Sequence, residues 1–88
     1  MINLSVRIEL FKEGDVYVAV APELNISSFG DTIEDAKASL RQAIELFVEE
    51  CQEMGTLDGV LEESGFSRIH DSWTSRRPLF QEDLALAV

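Results

Sequence analysis

The feature that most constrains the fold of this 88-residue chain is a strict alternation of apolar and polar residues near its beginning. Apolar side chains occupy every even position from Ile2 to Leu10, and polar ones occupy the odd positions between them. Because successive side chains of a strand point to opposite faces, this period of two predicts a β-strand over residues 2–10. Such a strand has one buried and one exposed face, so it requires neighbours in a sheet and a layer that covers its apolar side.

Two further strands are predicted after this one. Residues 12–15, Lys-Glu-Gly-Asp, have the composition of a turn, and Val16–Ala21 is a run of β-branched and small residues typical of a more buried strand. The first two strands should pair as an antiparallel hairpin. Pro22 lacks the N–H that a strand ladder requires and ends the second strand. Residues 25–29 then predict a short third strand, which is closed by Gly30-Asp31.

A long helix with clear start and stop signals is predicted next. Thr32 is a suitable N-cap with Asp35 three residues later, and Gly55 is a suitable C-terminal stop. Between them, apolar residues recur at spacings of three and four and form one face that can lie across a sheet. The stripe consists of Ile33, Ala36, Leu40, Ile44, Phe47 and Cys51. Residues 56–63 predict a short second helix.

The last part of the chain has weaker signals. Residues 66–77 show no periodicity and predict a loop or an irregular strand. Beyond Pro78, Leu84, Leu86 and Val88 alternate with alanines, so residues 79–88 predict a fourth strand. We expect these three apolar side chains to lie in an oligomer interface. The predicted order is βββαα(β), an α+β fold with a small antiparallel sheet and helices on one face.

The length limits the chain to one domain, residues 1–88. By the scaling of surface area with mass, a 9.8 kDa chain buries only about 64% of the surface that it exposes when unfolded. A monomer of this size should therefore be marginally stable. We expect a homo-oligomer, either a dimer or a higher assembly.

The charge is strongly acidic, with 17 acids, 7 bases and a formal net charge of −10. Such a chain repels phosphate backbones, so direct binding to nucleic acid is not expected. Residues 45–66 contain no Lys or Arg, and their acids either make a soluble surface or steer a basic protein partner. The candidate partner-binding residues are Glu45, Glu49, Glu50, Glu53, Glu62, Glu63 and Trp73. Trp73 is either a lid on the small core or an interface anchor.

Residues of catalytic type are few. His70 is the only histidine, and its neighbours Asp71-Ser72 do not form a triad, because a triad needs side chains that converge across a fold. Cys51 lies on the apolar stripe and is expected in the core, which leaves no pair for an internal disulfide. We expect no catalytic site, no metal and no cofactor. The rival hypothesis from another class is a metal-dependent nuclease that uses Glu9 and Asp31 with helix acids.

The chain is expected to be a cytoplasmic protein without a membrane segment. No basic and then apolar leader opens it, and no apolar run approaches the roughly 18 residues that a membrane span needs.

The order of residues resembles the HicB-type antitoxin family over about residues 2–50. The most specific part of the resemblance is Gly30-Asp31-Thr32 leading into Glu34-Asp35-Ala36. The other matching residues are Tyr17-Val18-Ala19, Pro22-Glu23-Leu24, Phe29, Ile33, Leu40, Ala43, Ile44 and Phe47.

The resemblance implies a partial ribonuclease-H-like fold, a βββαβ unit that has lost catalytic function. It also implies a dimer or higher oligomer that binds a small basic HicA-type toxin, an enzyme that cuts mRNA, and covers the active histidine and RNA surface of that toxin. Full-length members continue into an operator-binding domain, for which too few residues follow Gly65. We therefore expect a short stand-alone antitoxin with no separate DNA-binding domain. The alternative is an oligomeric scaffold of the same fold that has no toxin.

Overall fold

A computed structural model describes residues 2–88 and shows an α+β fold, which confirms the predicted class. The strands are β1 (Asn3–Ser5), β2 (Glu9–Glu13), β3 (Val16–Ala21), β4 (Ile26–Gly30), β5 (Phe66–Ile69) and β6 (Ser72–Ser75). The helices α1 (Ile33–Met54) and α2 (Leu57–Glu63) lie between β4 and β5 in the chain.

The strands form two three-stranded sheets rather than the single sheet that was predicted. The first sheet has the order β2-β3-β4 and is antiparallel throughout, and its β2–β3 pair confirms the hairpin predicted between the first two predicted strands. The second has the order β1-β6-β5, with β1 parallel to β6 and β5 antiparallel to β6. Because β1 and β2 belong to one continuous stretch of chain, residues 2–13 link the two sheets.

The predicted strand over residues 2–10 is therefore divided between these sheets. Residues 6–8 are not part of a strand, yet the expected alternation of exposure continues through them. Ile2, Leu4, Val6 and Ile8 are half-buried, and the odd-numbered residues between them are exposed. An apolar pattern determines which face of a strand is buried, but it does not determine which neighbour pairs with each end.

Helix α1 begins and ends at the predicted residues. The Oγ1 atom of Thr32 accepts a hydrogen bond from the backbone N–H of Asp35 at 3.0 Å. At the other end, Gly55 has φ 70°, and the N–H of Thr56 donates to the carbonyl of Cys51 at 2.9 Å. The left-handed conformation at this position costs little free energy for glycine, because glycine has no Cβ that would clash with the backbone.

Helix α1 packs very closely on β3 and β4. Ala19 and Ala21 of β3 and Ala36 of α1 are completely buried, and their small side chains allow the two layers to approach. A Cβ added to Gly30 would lie 2.6 Å from the backbone nitrogen of Ala36. The apolar core extends from this contact through Leu40 to the second helix.

The segment predicted as a loop or irregular strand over residues 66–77 forms the β5–β6 hairpin. Phe66 and Trp73 are buried and join Leu57 and Leu61 of α2 in the core. The remaining hairpin residues are mostly polar, so the sequence has no continuous apolar signal. His70 occupies the turn with φ 56°.

The predicted fourth strand over residues 79–88 is wrong, because residues 76–88 contain neither helix nor strand. Leu84 and Leu86 are 77% and 73% exposed, and Val88 is fully exposed. Alternation alone does not make a strand, since the backbone must also pair with a sheet edge, and residues 76–88 pair with none of the edges of the two sheets.

The chain exposes more surface than its mass predicts. Its accessible area is 6927 Å², whereas a folded monomer of this mass should expose about 5,200 Å². Its radius of gyration is 15.1 Å, compared with about 12 Å for a typical domain of this length. Part of this excess comes from the extended residues 76–88, whose side chains are all exposed.

Candidate functional site

The six predicted partner-binding glutamates are all exposed and form what we call the acidic surface. It consists of Glu45, Glu49, Glu50 and Glu53 on α1 and Glu62 and Glu63 on α2. Glu45, Glu49 and Glu53 are four residues apart, so they form a line along one exposed face of α1.

This arrangement of charge is unfavourable for the two helices that carry it. Carboxylates four residues apart on a helix repel one another. Glu53 lies in the last turn of α1, and Glu62 and Glu63 end α2, where the helix dipole is also negative. Neither helix has a basic residue in its last turn. Side-chain charge and helix dipole are therefore both negative at the C-terminal ends of the two helices.

No ion pair found within residues 2–88 neutralises this surface. Arg68 of β5 lies 3.8 Å from Asp58 of α2, and both side chains are more than half exposed. The other ion pair of residues 2–88 joins Arg7 to Glu23 at 3.8 Å. None of the six glutamates takes part in either pair, so their charge remains available to a partner.

Trp73 is buried, unlike the exposed glutamates of the acidic surface. Its side chain is only 3% exposed and belongs to the core with Phe66 and Leu61. The guanidinium group of Arg68 lies over the indole ring, 5.7 Å from its centroid. Of the two roles considered for Trp73, the structure favours the lid on the core, and the proposed partner surface consists of the glutamates alone.

An apolar groove separates α1 from residues 2–8. Its volume is about 1050 Å³. The half-buried side chains of Ile2, Leu4, Val6 and Ile8 form one wall, and Leu40, Ile44 and Val48 of α1 form the other. Charged residues of α1 border the groove, namely Glu34, Lys37, Arg41, Glu45 and Glu49. The acidic surface thus begins at the rim of this groove.

A polar pocket of about 520 Å³ lies at the second sheet. Thr74 of β6 is paired with Ser5 on one side and Ser67 on the other, so three hydroxyl side chains form a row on one face. The guanidinium-bearing residues Arg7, Arg76 and Arg77 also line the pocket. Sequence reasoning missed this cluster because its members come from three separate segments. Its hydroxyl and guanidinium groups are suited to carboxylates or phosphates.

The residues of the rival nuclease hypothesis are exposed and belong to different elements. Glu9 lies in β2, and Asp31 precedes α1. Over residues 2–88, no three His, Cys, Asp or Glu side chains are grouped so that they could hold a metal ion. Cys51 is a buried free thiol, and His70 is exposed in its turn.

The structure thus describes a small α+β protein with a concentrated acidic surface on its helices. No protein-family model matches the chain, and neither a curated protein nor a solved structure shows significant similarity to it. The resemblance to HicB-type antitoxins therefore remains a hypothesis based on the motif residues. Within the part of the chain that is described, no helix combines the length and the apolar character needed to cross a membrane.

Proposed function

We propose that this protein is a non-enzymatic, cytoplasmic interaction protein of HicB-like type. In this proposal, it binds a small basic mRNA-cleaving toxin through the acidic surface and so neutralises it. The observation that carries the proposal is the set of six exposed glutamates that take part in none of the ion pairs found within residues 2–88, several of them at the negative ends of helix dipoles.

A charge arrangement that is unfavourable in the free protein becomes favourable in a complex with a basic partner. Lys and Arg side chains of the partner would relieve the repulsion between Glu45, Glu49 and Glu53 and pair with the negative helix ends. Complementary potentials also accelerate association, because they steer the two proteins before contact. Repulsion of the phosphate backbone by the same surface argues against RNA or DNA as the partner.

The placement of the motif residues also supports the proposal. Gly30-Asp31-Thr32 forms the tight junction between β4 and α1, which gives the most specific part of the resemblance a structural role. The elements β2, β3, β4 and α1 follow one another in the order of the first four elements of a βββαβ unit, whereas α2 and β5 come before β6, the strand that pairs parallel to β1.

The experiment is co-expression with a small basic protein encoded beside the gene, followed by growth measurement and isolation of the complex. We expect the wild-type chain to restore growth and to form a complex that weakens with increasing salt. In Glu49→Lys/Glu53→Lys, affinity should fall at least about tenfold, the change expected from about 1.4 kcal/mol.

The matched control is Glu13→Lys/Asp15→Lys, which changes the net charge equally but lies at the β2–β3 turn. It should bind nearly as well as the wild type. Equal losses in both variants would contradict a role for the acidic surface. The absence of any complex with the wild-type chain would contradict toxin binding and favour the scaffold without a toxin.

A further inference from the structure

The C-terminal segment carries apolar side chains that have no place in the core of its own chain. We call residues 79–88 the arm. Five of its side chains are large, apolar and more than 70% exposed: Leu79, Phe80, Leu84, Leu86 and Val88. Such a concentration in ten residues is unusual for a soluble monomer and indicates an interaction site.

The same chain also contains an apolar surface that lacks a cover. Most of the apolar side chains that line the groove between residues 2–8 and α1 are half-buried rather than buried, including Leu4, Ile8, Ile44 and Val48. An extended segment suits such a groove, because alternate side chains of one strand face one side. Leu84, Leu86 and Val88 have this spacing.

We propose that the arm of one copy of this chain docks in the groove of a second copy, and that the second copy returns its own arm. A two-fold exchange of this kind covers both arms and both grooves at once. The proposal is independent of the toxin hypothesis, because it depends on apolar surfaces rather than on the acidic surface.

The area involved matches that of a stable dimer. Burial of a large apolar side chain removes on the order of 100 Å² from water, so the three alternating side chains of each arm and a similar area from each groove give about 1,200 Å² in total. Specific protein interfaces bury about 1,200–2,000 Å². The dimer would also remove about a third of the excess surface of each monomer, which is about 1,700 Å² above the expected area.

Charge at the rim of the groove favours the same occupant. Lys37 and Arg41 border the groove one helical turn apart, and neither is part of the ion pairs found within residues 2–88. The arm contains Glu82 and Asp83 directly before its alternating segment. An arm that enters beside Lys37 and Arg41 would pair these charges while Leu84, Leu86 and Val88 follow the apolar walls.

The first test is the oligomeric state of an arm variant, Leu84→Gln/Leu86→Gln/Val88→Gln, by light scattering at about 50 µM. We expect a dimer for the wild type and a monomer for the variant, with the same circular dichroism, since these side chains are exposed in the monomer. The control, Leu46→Gln/Met54→Gln/Ile69→Gln, removes three exposed apolar side chains elsewhere and should remain a dimer. A monomeric wild type or a dimeric arm variant would overturn the proposal.

The second test locates the docked arm by disulfide trapping in a Cys51→Ala background. A Leu86→Cys chain is mixed with an Ala38→Cys chain, so any mixed disulfide joins two molecules. Ala38 is exposed at the groove, and Phe11→Cys on the free edge of β2 provides the control partner. We expect Leu86 to cross-link at least about fivefold more to position 38 than to position 11. The reverse preference would overturn docking in the groove.

Discussion

Gly30 is the residue at which the sheet and the main helix come closest. A Cβ at this position would lie within 3 Å of the backbone of Asp35 and Ala36, and backbone atoms of a capped helix have little freedom to move away. The glycine is therefore required by packing against α1 rather than by an unusual φ angle. The same contact explains why Gly30 directly precedes the turn and cap residues Asp31 and Thr32.

Replacement of Gly30 by alanine should strongly destabilise the protein. We expect Gly30→Ala to lower the free energy of unfolding by about 2–3 kcal/mol, because α1 must shift away from β4. Urea denaturation followed by circular dichroism measures this change. The matched control is Gly59→Ala in α2, where a Cβ meets nothing within 4 Å. That variant should gain about 0.5–1 kcal/mol, because alanine favours the helix. A loss of similar size at both positions would contradict the packing argument.

The burial of Trp73 could not be predicted from its neighbours in the sequence. Its neighbours in the chain are Ser72 and Thr74, which are typical of an exposed loop. The ring is buried because β6 pairs with β1, whose Leu4 lies opposite Trp73 in the register. Only this contact, made by residues far apart in the chain, distinguishes a core residue from an interface anchor.

At the level of elements, the parts that depend on local chemistry were predicted and the parts that depend on distant pairing were not. The limits of α1 follow from Thr32, Asp35 and Gly55, whose capping bonds form within a few residues. The β5–β6 hairpin has a polar sequence and becomes a sheet through its parallel pairing with β1. Conversely, the arm has the alternation of a strand but no partner within its own chain.

The acidic surface leads to a prediction about helix stability. We expect Glu53→Lys to raise the free energy of unfolding by about 0.5–1 kcal/mol, because it replaces repulsion from Glu49 by attraction and places a cation at the C-terminal end of α1. Urea denaturation measures the change. Asp15→Lys, which alters the net charge equally outside the helices, should have a smaller effect. A destabilised Glu53→Lys protein would show that this carboxylate has a structural role.

Considered as a whole molecule, the chain departs from a typical monomer in both its surface and its charge. Part of the excess surface lies on the exposed arm, and most of the acids of residues 45–66 lie on the helices. Neither imbalance is required by the α+β fold, and in our proposals a different partner relieves each of them. A second copy would cover the apolar surfaces, and a basic protein would neutralise the acidic one.

The net charge of −10 predicts that salt stabilises the folded chain. Repulsion among like charges disfavours the compact state, and it is screened as the Debye length falls from about 30 Å at 0.01 M to about 3 Å at 1 M salt. Salt also screens the attraction within the two ion pairs of residues 2–88. Their charged groups are partly exposed and 3.8 Å apart, so this screening removes little stability. The melting temperature should therefore rise by several degrees between 0.01 and 0.5 M NaCl, since 1 kcal/mol corresponds to about 4–8 °C.

The measurement is best made on the Leu84→Gln/Leu86→Gln/Val88→Gln variant, so that any effect of salt on dimerisation does not contribute. Addition of Glu49→Lys/Glu53→Lys changes the net charge from −10 to −6, because each substitution adds two charges. The gain in melting temperature should then be clearly smaller. A melting temperature that stays constant or falls with salt would show that repulsion within the acidic surface does not limit stability. Electrostatic repulsion within this surface would then not be what destabilises the free protein.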